Sequence, residues 1–202
     1  MTMCLLLVPL DAVAQDATEP GAAEQDVLQN WGLGAAITGN FLTGVSSELL
    51  DGGFGFLGFV GRRVTGPLWV RFDAAYFGLE EQRGQSEVAD NSLLSLVLGP
   101  EVDFGSSVLR GYLRGYGGLV VNFQSRSGSN LDTESSSAGM FGGGAGIRFL
   151  LGSSERPVAL DFGGDISKTG TLGFARTSDS GGVTEQDAAI LTLHLGVTFG
   201  LP

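Results

Sequence analysis

The sequence predicts an all-β protein, an eight-stranded antiparallel up-and-down transmembrane β-barrel, and three observations lead to this fold class. The chain of 202 residues contains 34 glycines and is 43% hydrophobic, yet no apolar run reaches the ~18 residues that a membrane-spanning helix needs. Segments in which apolar and polar residues alternate follow one another along the chain. Long polar connections between these segments alternate with tight ones, as in transmembrane barrels.

The first residues predict an export signal. An apolar run from Cys4 to Leu10 precedes Ala12, Val13 and Ala14, which form an Ala-x-Ala cleavage site. No Lys or Arg comes before this run, so a disordered apolar N-terminus is the alternative, and the start codon stays open. We expect residues 1–14 to be a signal peptide, residues 15–29 an acidic flexible tail, and residues 30–202 the barrel domain. Cleavage would remove Cys4, the single cysteine.

The strands are predicted from the alternation of apolar and polar residues and from the Gly, Ser and Asp that separate the segments. They cover residues 30–41, 52–63, 68–79, 92–103, 108–123, 138–151, 158–168 and 188–199. The long connections are 43–52, 80–91, 124–137 and 169–187, and the tight ones are 64–67, 104–107 and 152–157. Both ends of the barrel then lie on the side of the tight turns, which is the layout of outer-membrane barrels.

The two faces of the predicted strands differ in chemistry. In the last strand Leu191, Leu193, Leu195, Val197 and Phe199 share one face, and Thr192, His194 and Thr198 lie on the other. In the seventh strand Phe162 opposes Asp161 and Asp165 in the same way. Because charges occupy one face only, we expect the apolar face, with Leu193 and Phe162, to contact lipid and the charged face to line the lumen.

The charges of the lumen face are expected to pair. Folding the fourth and fifth strands about residues 104–107 places Glu101 opposite Arg110, and folding the next hairpin about 152–157 places Arg148 opposite Asp161. Asp103 lies on the same face. An eight-stranded barrel is narrow enough for side chains to fill it, so we predict a closed, salt-bridged lumen. The predicted structural network contains Arg71, Asp73, Glu101, Arg110, Arg114, Arg148, Asp161 and Asp165.

Aromatic residues end the apolar face at both rims, as membrane-interface girdles do. Phe41, Tyr76 and Phe123 are expected on the side of the long loops, and Trp31, Phe149 and Phe199 on the side of the short turns. A soluble antiparallel sheet with ordinary cross-strand ion pairs is the alternative interpretation of the same alternation.

No motif predicts chemistry. Residues 53–58 match the Gly-x-Gly-x-x-Gly dinucleotide pattern and residues 142–146 are glycine-rich, but both lie within predicted strands. His194 is the single histidine, so a multi-histidine metal site is excluded, and we expect a structural hydrogen-bonded role for it inside the barrel. We therefore predict no catalytic residue, no metal and no cofactor. Nucleic acid is also excluded as a partner, because 22 acidic residues oppose 11 basic ones.

The four long connections carry eleven acidic side chains and three arginines, a net charge of −8. A solvated acidic surface explains this composition, and a site for divalent cations or for a basic partner is the alternative.

In strand number, loop alternation and aromatic rims, residues 30–199 resemble the small outer-membrane barrel superfamily of the OmpA transmembrane domain, OmpX and the opacity proteins. The resemblance implies a place in the bacterial outer membrane among its lipid and lipopolysaccharide. It also implies insertion by the barrel-assembly machinery through a last strand that ends at Phe199. We expect a monomer that is not an enzyme, with a structural or surface-interaction role through the four loops. A narrow passive pore and, third, a lipid-modifying enzyme with His194 as base are the alternatives.

Overall fold

The protein folds into a closed antiparallel barrel of eight strands, each paired with its neighbours in the chain. The computed structural model describes residues 30–43, 52–79, 89–105, 108–126, 134–151, 158–175 and 183–200. The strands are β1 (Trp31–Thr43), β2 (Gly53–Thr65), β3 (Leu68–Leu79), β4 (Ala89–Gly105), β5 (Leu109–Arg126), β6 (Glu134–Leu151), β7 (Val158–Ala175) and β8 (Val183–Phe199). The predicted all-β, up-and-down barrel is confirmed in strand number and order.

Closure of the barrel depends on the first and last strands. β1 pairs with β8 along its length, from Leu33 opposite Phe199 to Thr43 opposite Ala189. Backbone groups of both strands are therefore paired on both sides, so the sheet has no free edge at this seam. A closed sheet of this kind satisfies its backbone without water, which is the condition for crossing a membrane with strands.

The connections define two ends of the barrel. We call the end with the links 66–67, 106–108 and 152–157 and both termini of the barrel the turn end, and the opposite end the loop end. At the turn end Gly66 has a φ of 48° and Gly105 a φ of 117°, a region that side chains with a Cβ avoid. These two glycines allow the chain to reverse sharply between β2 and β3 and after β4.

The strands β4 to β8 are longer at the loop end than the sequence predicts. β7 continues to Ala175 instead of residue 168, and β8 begins at Val183 instead of residue 188. The added residues are mostly polar or small, so the apolar alternation that marks a lipid-facing strand stops before the strand does. The backbone pairing continues beyond it, as between Thr171 and Asp187.

Several sequence predictions lie outside the described residues. These are the signal peptide at 1–14, the acidic tail at 15–29, and most of the four long loops. Among the described residues, no helix is long and apolar enough to cross a membrane.

Candidate functional site: a filled lumen inside an apolar wall

The outer wall of the barrel is covered by exposed apolar side chains. Phe54 is 83% exposed, and the predicted lipid-facing residues Leu193 and Phe162 are also exposed, on β8 and β7. They belong to a set of exposed large apolar residues that is spread over all eight strands. Soluble monomers do not carry so extended an apolar surface, whereas a barrel in lipid requires one. The barrel therefore spans a membrane.

The six aromatic residues expected at the membrane interfaces all point outward. Each is exposed and lies toward an end of its strand: Trp31, Phe41, Tyr76, Phe123, Phe149 and Phe199. Trp31 also lies beneath the guanidinium of Arg62, 5.5 Å from its ring centre. This stacking keeps a charge beside an aromatic ring at the turn end, a combination suited to the boundary between water and lipid.

Three arginines organise the interior toward the turn end. Arg148, which is fully buried, donates from Nε to Asp161 Oδ2 at 2.9 Å and from Nη1 to Asp103 Oδ1 at 2.9 Å. Its Nη2 lies 2.7 Å from Glu101 Oε1. One guanidinium thus contacts carboxylates from β4 and β7, so it ties opposite sides of the lumen together.

Arg71 and Arg114 extend the same network. Arg71 donates from Nε to Asp73 at 2.6 Å and from Nη1 to Glu101 at 3.0 Å. Arg114 donates from Nε to Asp165 Oδ1 at 2.6 Å, and its Nη1 and Nη2 contact Asp73 and Asp165. Arg71 shares Asp73 with Arg114 and Glu101 with Arg148, so the charged groups form one connected cluster rather than separate pairs.

The predicted pairing of Glu101 with Arg110 is wrong. Glu101 stands opposite Arg114, and Arg110 stands opposite Gly105, four residues from the predicted register. The reason is that β4 continues to Gly105 and the chain reverses beyond it, so the centre of the turn is displaced toward β5. The cross-strand partner of each residue is displaced by four positions. Because four is an even number, every side chain still points to the predicted side of the sheet. Arg110 lies beside Asp103 instead, where its charge attracts that carboxylate.

The register of the next hairpin agrees with the sequence prediction. Arg148 lies opposite Asp161, and Phe149 lies opposite Leu160. Of the eight residues predicted for the lumen network, seven carry ion pairs that join them into this cluster: Arg71, Asp73, Glu101, Arg114, Arg148, Asp161 and Asp165. Arg110 is half-buried at the turn end.

Tyr112 and His194 complete this cluster. The Tyr112 hydroxyl donates to Asp161 Oδ1 at 2.9 Å and lies 2.8 Å from His194 Nε2. The other ring nitrogen of His194 is 3.5 Å from Asp165 Oδ2. The sequence predicts His194 in the lumen but does not single out Tyr112, although Tyr112 shares the strand parity of Arg110 and Arg114. His194 is buried among these groups, away from the lipid-facing wall.

Glycines make room for this cluster. A Cβ at Gly146 or at Gly163 would overlap the Tyr112 hydroxyl, and one at Gly144 would overlap Asp165. The glycine-rich stretch 142–146 thus lies in β6, where its inward glycines leave space for large neighbours. The Gly-x-Gly-x-x-Gly pattern at 53–58 likewise lies within β2, without a following helix.

An apolar cluster fills the lumen toward the loop end, which the sequence analysis did not predict. Inward side chains from six strands form it: Leu42, Phe77, Leu79, Leu93, Val120, Leu172, Ala188 and Ile190. Leu172 belongs to the loop-end part of β7, and it follows a register shift between Lys168 and Thr171. β7 also contacts β5 and β4, which are not its neighbours in the sheet. We call this group the apolar plug.

Amide and hydroxyl side chains accompany the apolar plug. Asn122 donates to Asn91 Oδ1 at 3.3 Å and to the Gly173 carbonyl at 2.6 Å. Ser136 both donates to that carbonyl, at 3.2 Å, and accepts from the Gly173 N–H, at 3.0 Å. These bonds hold the loop-end part of β7, at Gly173, against Asn122 of β5 and Ser136 of β6.

Ion pairs and hydrogen bonds hold the charged side chains of the lumen in place. No group of three or more His, Cys, Asp or Glu in the described part of the chain could hold a metal ion. Most charged groups of the lumen are ion-paired with one another, and the apolar plug lies between them and the loop end.

Comparisons with known proteins agree with the architecture. The sequence matches no protein-family model and no curated protein. Among solved structures, Neisserial surface protein A is similar over 83% of this chain and 95% of its own, with 17% identity and a TM-score of 0.61. Ail, the attachment invasion locus protein of Yersinia pestis, is similar over 84% of this chain and 97% of its own, with 15% identity and a TM-score of 0.54.

A second structure of Ail, in complex with the heparin analogue sucrose octasulfate, has 14% identity and a TM-score of 0.53 over 84% of this chain and 97% of its own. At these identities the likeness concerns the fold. Together with the closed sheet and the apolar wall, it shows that the chain is a small eight-stranded transmembrane β-barrel.

Proposed function

We propose that this chain is a non-enzymatic protein of the bacterial outer membrane whose closed barrel supports four loops in a structural or surface-interaction role. The observation that carries the proposal is the filling of the lumen. Ion-paired side chains occupy its turn half, and the apolar plug occupies its loop half. A barrel filled in this way transports nothing through its centre, so function is left to the wall and the loops.

A conductance measurement tests the closed lumen. The refolded chain, reconstituted in a planar lipid bilayer, is expected to be electrically silent although it migrates as a folded, heat-modifiable species in gels. Steady single-channel steps from the folded protein would favour the narrow passive pore instead. Replacing Leu93 and Leu172 in the apolar plug by serine should admit water to the loop half alone, so this variant is also expected to be silent while the ion-paired turn half is intact.

The environment of His194 argues against a lipid-modifying enzyme. Its ring contacts Tyr112 and Asp161 inside the lumen, whereas lipid chains touch the outer wall. A base for lipid chemistry needs access to the wall or to a lateral opening. We expect unchanged lipid profiles in membranes that contain the His194→Ala variant, and an altered profile would contradict the non-enzymatic proposal.

The proposed partners of the barrel are the membrane lipids around its wall and the machinery that inserts it. The six exposed aromatics would lie at the interfaces of a membrane that contains lipopolysaccharide in its outer leaflet. The outward residues Leu191, Leu193, Leu195, Val197 and Phe199 of β8 would form the signal for the barrel-assembly machinery. With its sheet closed on itself, the barrel is proposed to be a monomer.

The charge of the loops favours a particular class of surface partner. Ail has been crystallised with a heparin analogue, which is a polyanion. Here the four loop segments carry a net charge of −8, and Glu185 and Asp187 at the start of β8 are exposed. We therefore expect a cationic or neutral partner, and we expect sucrose octasulfate not to bind. Saturable binding of sucrose octasulfate in calorimetry at physiological salt would contradict this expectation.

A further inference from the structure

The pairing between β4 and β5 is interrupted at one place. It runs without a break from Ala89 opposite Arg126 to Leu98 opposite Gly117, and it resumes at Glu101 opposite Arg114. Gly99 and Pro100 lie in the interval. Pro100 has no N–H to donate, so a regular ladder cannot form there. On its other side Pro100 remains opposite Val70 and Gly99 opposite Arg71, so the interruption is confined to the β4–β5 seam.

A small, half-open cavity lies at this interruption. Its wall is formed by Gly99, Pro100 and Gly115 from the seam and by Arg71, Asp73 and Arg114 from the lumen network. It offers about 10 Å³ of room for the centre of a water molecule. This is close to the smallest volume that holds one water, and the lining provides the polar groups that a bound water requires.

Arg71 provides a hydrogen-bond donor without a partner in the protein. Its Nε and Nη1 bind Asp73 and Glu101, and its guanidinium stacks 3.6 Å above the ring of Phe59. The remaining nitrogen, Nη2, is buried and makes no hydrogen bond, although the side chain is only 4% exposed. An unsatisfied donor on a buried charged group is costly, so a partner for it is expected in the cavity that Arg71 lines.

We propose that this cavity is a binding site for a single water molecule, which accepts a hydrogen bond from Arg71 Nη2. The carboxylate of Asp73, which also lines the cavity, is the acceptor for a proton of this water. The water would complete the hydrogen bonding of Arg71 beside the interruption of the β4–β5 ladder at Pro100. It would thus couple the wall to the lumen network.

Charge and size favour water over an ion. The arginines Arg71, Arg114 and Arg148 are ion-paired with five carboxylates, and Arg110 adds a fourth positive charge beside Asp103. An anion in the cavity would lie against the carboxylate of Asp73. A cation in the cavity would lie against the guanidinium groups of Arg71 and Arg114. A neutral ligand with both a donor and an acceptor, and the size of one water, fits all of these conditions.

A crystal structure of the refolded chain, at a resolution that reveals ordered water, tests the proposal. We expect density for one oxygen at roughly 2.7–3.2 Å from Arg71 Nη2, between Gly99 and Asp73. A folded barrel without density there would overturn the proposal. Crystals soaked in bromide separate the two possible sources of density, because an anomalous peak at the site identifies an anion and would overturn the assignment to water.

A matched pair of variants tests whether the cavity itself holds the water. Val97 is buried and lines the cavity, so Val97→Ile should fill it and remove the density. Val102 lies on the same strand with its side chain exposed, so Val102→Ile should leave the density unchanged. Retention of the water in a folded Val97→Ile barrel would contradict the site. If Val97→Ile does not fold, the wild-type map decides alone.

Discussion

Arg148 and Asp161 face each other across β6 and β7, and Arg148 Nε lies 2.9 Å from Asp161 Oδ2. The pair is buried, and Arg148 continues from it to Asp103 and Glu101. Replacing a whole buried pair with apolar residues is often neutral, whereas removing one partner leaves the others uncompensated. The Arg148 side chain is therefore the position at which the energetic role of the lumen network is best measured.

Arg148→Met should destabilise the barrel strongly, because three carboxylates lose their shared guanidinium. Loss of one partner of a buried ion pair costs about 3–5 kcal/mol, and urea unfolding in lipid vesicles measures this change. Arg62→Met is the control, since Arg62 is exposed and stacks on Trp31, and it should cost less than about 1 kcal/mol. Equal costs for the two variants would contradict the importance of the network.

The register of β4 and β5 can be measured by cross-linking on the outer wall. Val102 lies opposite Leu113, whereas the register predicted from the sequence would place it opposite Leu109. In a chain without Cys4, Val102→Cys with Leu113→Cys should form a disulfide on mild oxidation, because directly opposite positions meet its geometry. Val102→Cys with Leu109→Cys should not. Preferential cross-linking of the second pair, detected by gel mobility, would favour the sequence-derived register.

The sequence predicts which face of the sheet a residue lies on, but it does not predict the cross-strand partner of that residue. The face of each residue follows from parity alone, so Glu101, Arg114 and Asp165 could be assigned to the lumen. Register depends on where the chain reverses, and the turn after Gly105 gives no signal strong enough to locate it. A shift of four residues changes every cross-strand partner without changing a single face.

The apolar plug was missed for a different reason. By the parity of their strands, Phe77 and Ile190 fall on the polar face, where each is an apolar residue among polar ones. Their contact with Leu93 and Leu172 depends on the position of each residue along the barrel axis. That position follows from the register of the strands, which a single sequence does not provide. Leu172 in particular enters because β7 continues past residue 168 and shifts register there.

Two glycines test how tightly the charged half of the lumen is packed. Gly163→Ala would place a methyl group against the Tyr112 hydroxyl and the His194 ring, so we expect a loss of about 1–3 kcal/mol from overpacking. Gly139→Ala is the matched control, because a Cβ there meets no atom within 4 Å. Urea unfolding of both variants provides the measurement. Equal stability of the two would mean that the Tyr112 and His194 side chains move aside without cost.

Arginine substitutions on the outer wall test which exposed residues lie in the hydrocarbon core of the membrane. Leu193 is exposed in the middle of the apolar face of β8, whereas Ser135 is exposed on β6, beyond Phe141 toward the loop end. An arginine at the bilayer midplane costs about 2–4 kcal/mol, and one near the interface costs about 0–1 kcal/mol.

Leu193→Arg should therefore reduce the free energy of unfolding in vesicles by several times more than Ser135→Arg. The same variants in detergent micelles should differ less, because a micelle lets the guanidinium reach water more easily than a bilayer does. A difference that is equally large in micelles and vesicles would assign the cost to local packing on β8. A similar small cost for both variants in vesicles would contradict the burial of Leu193 in lipid.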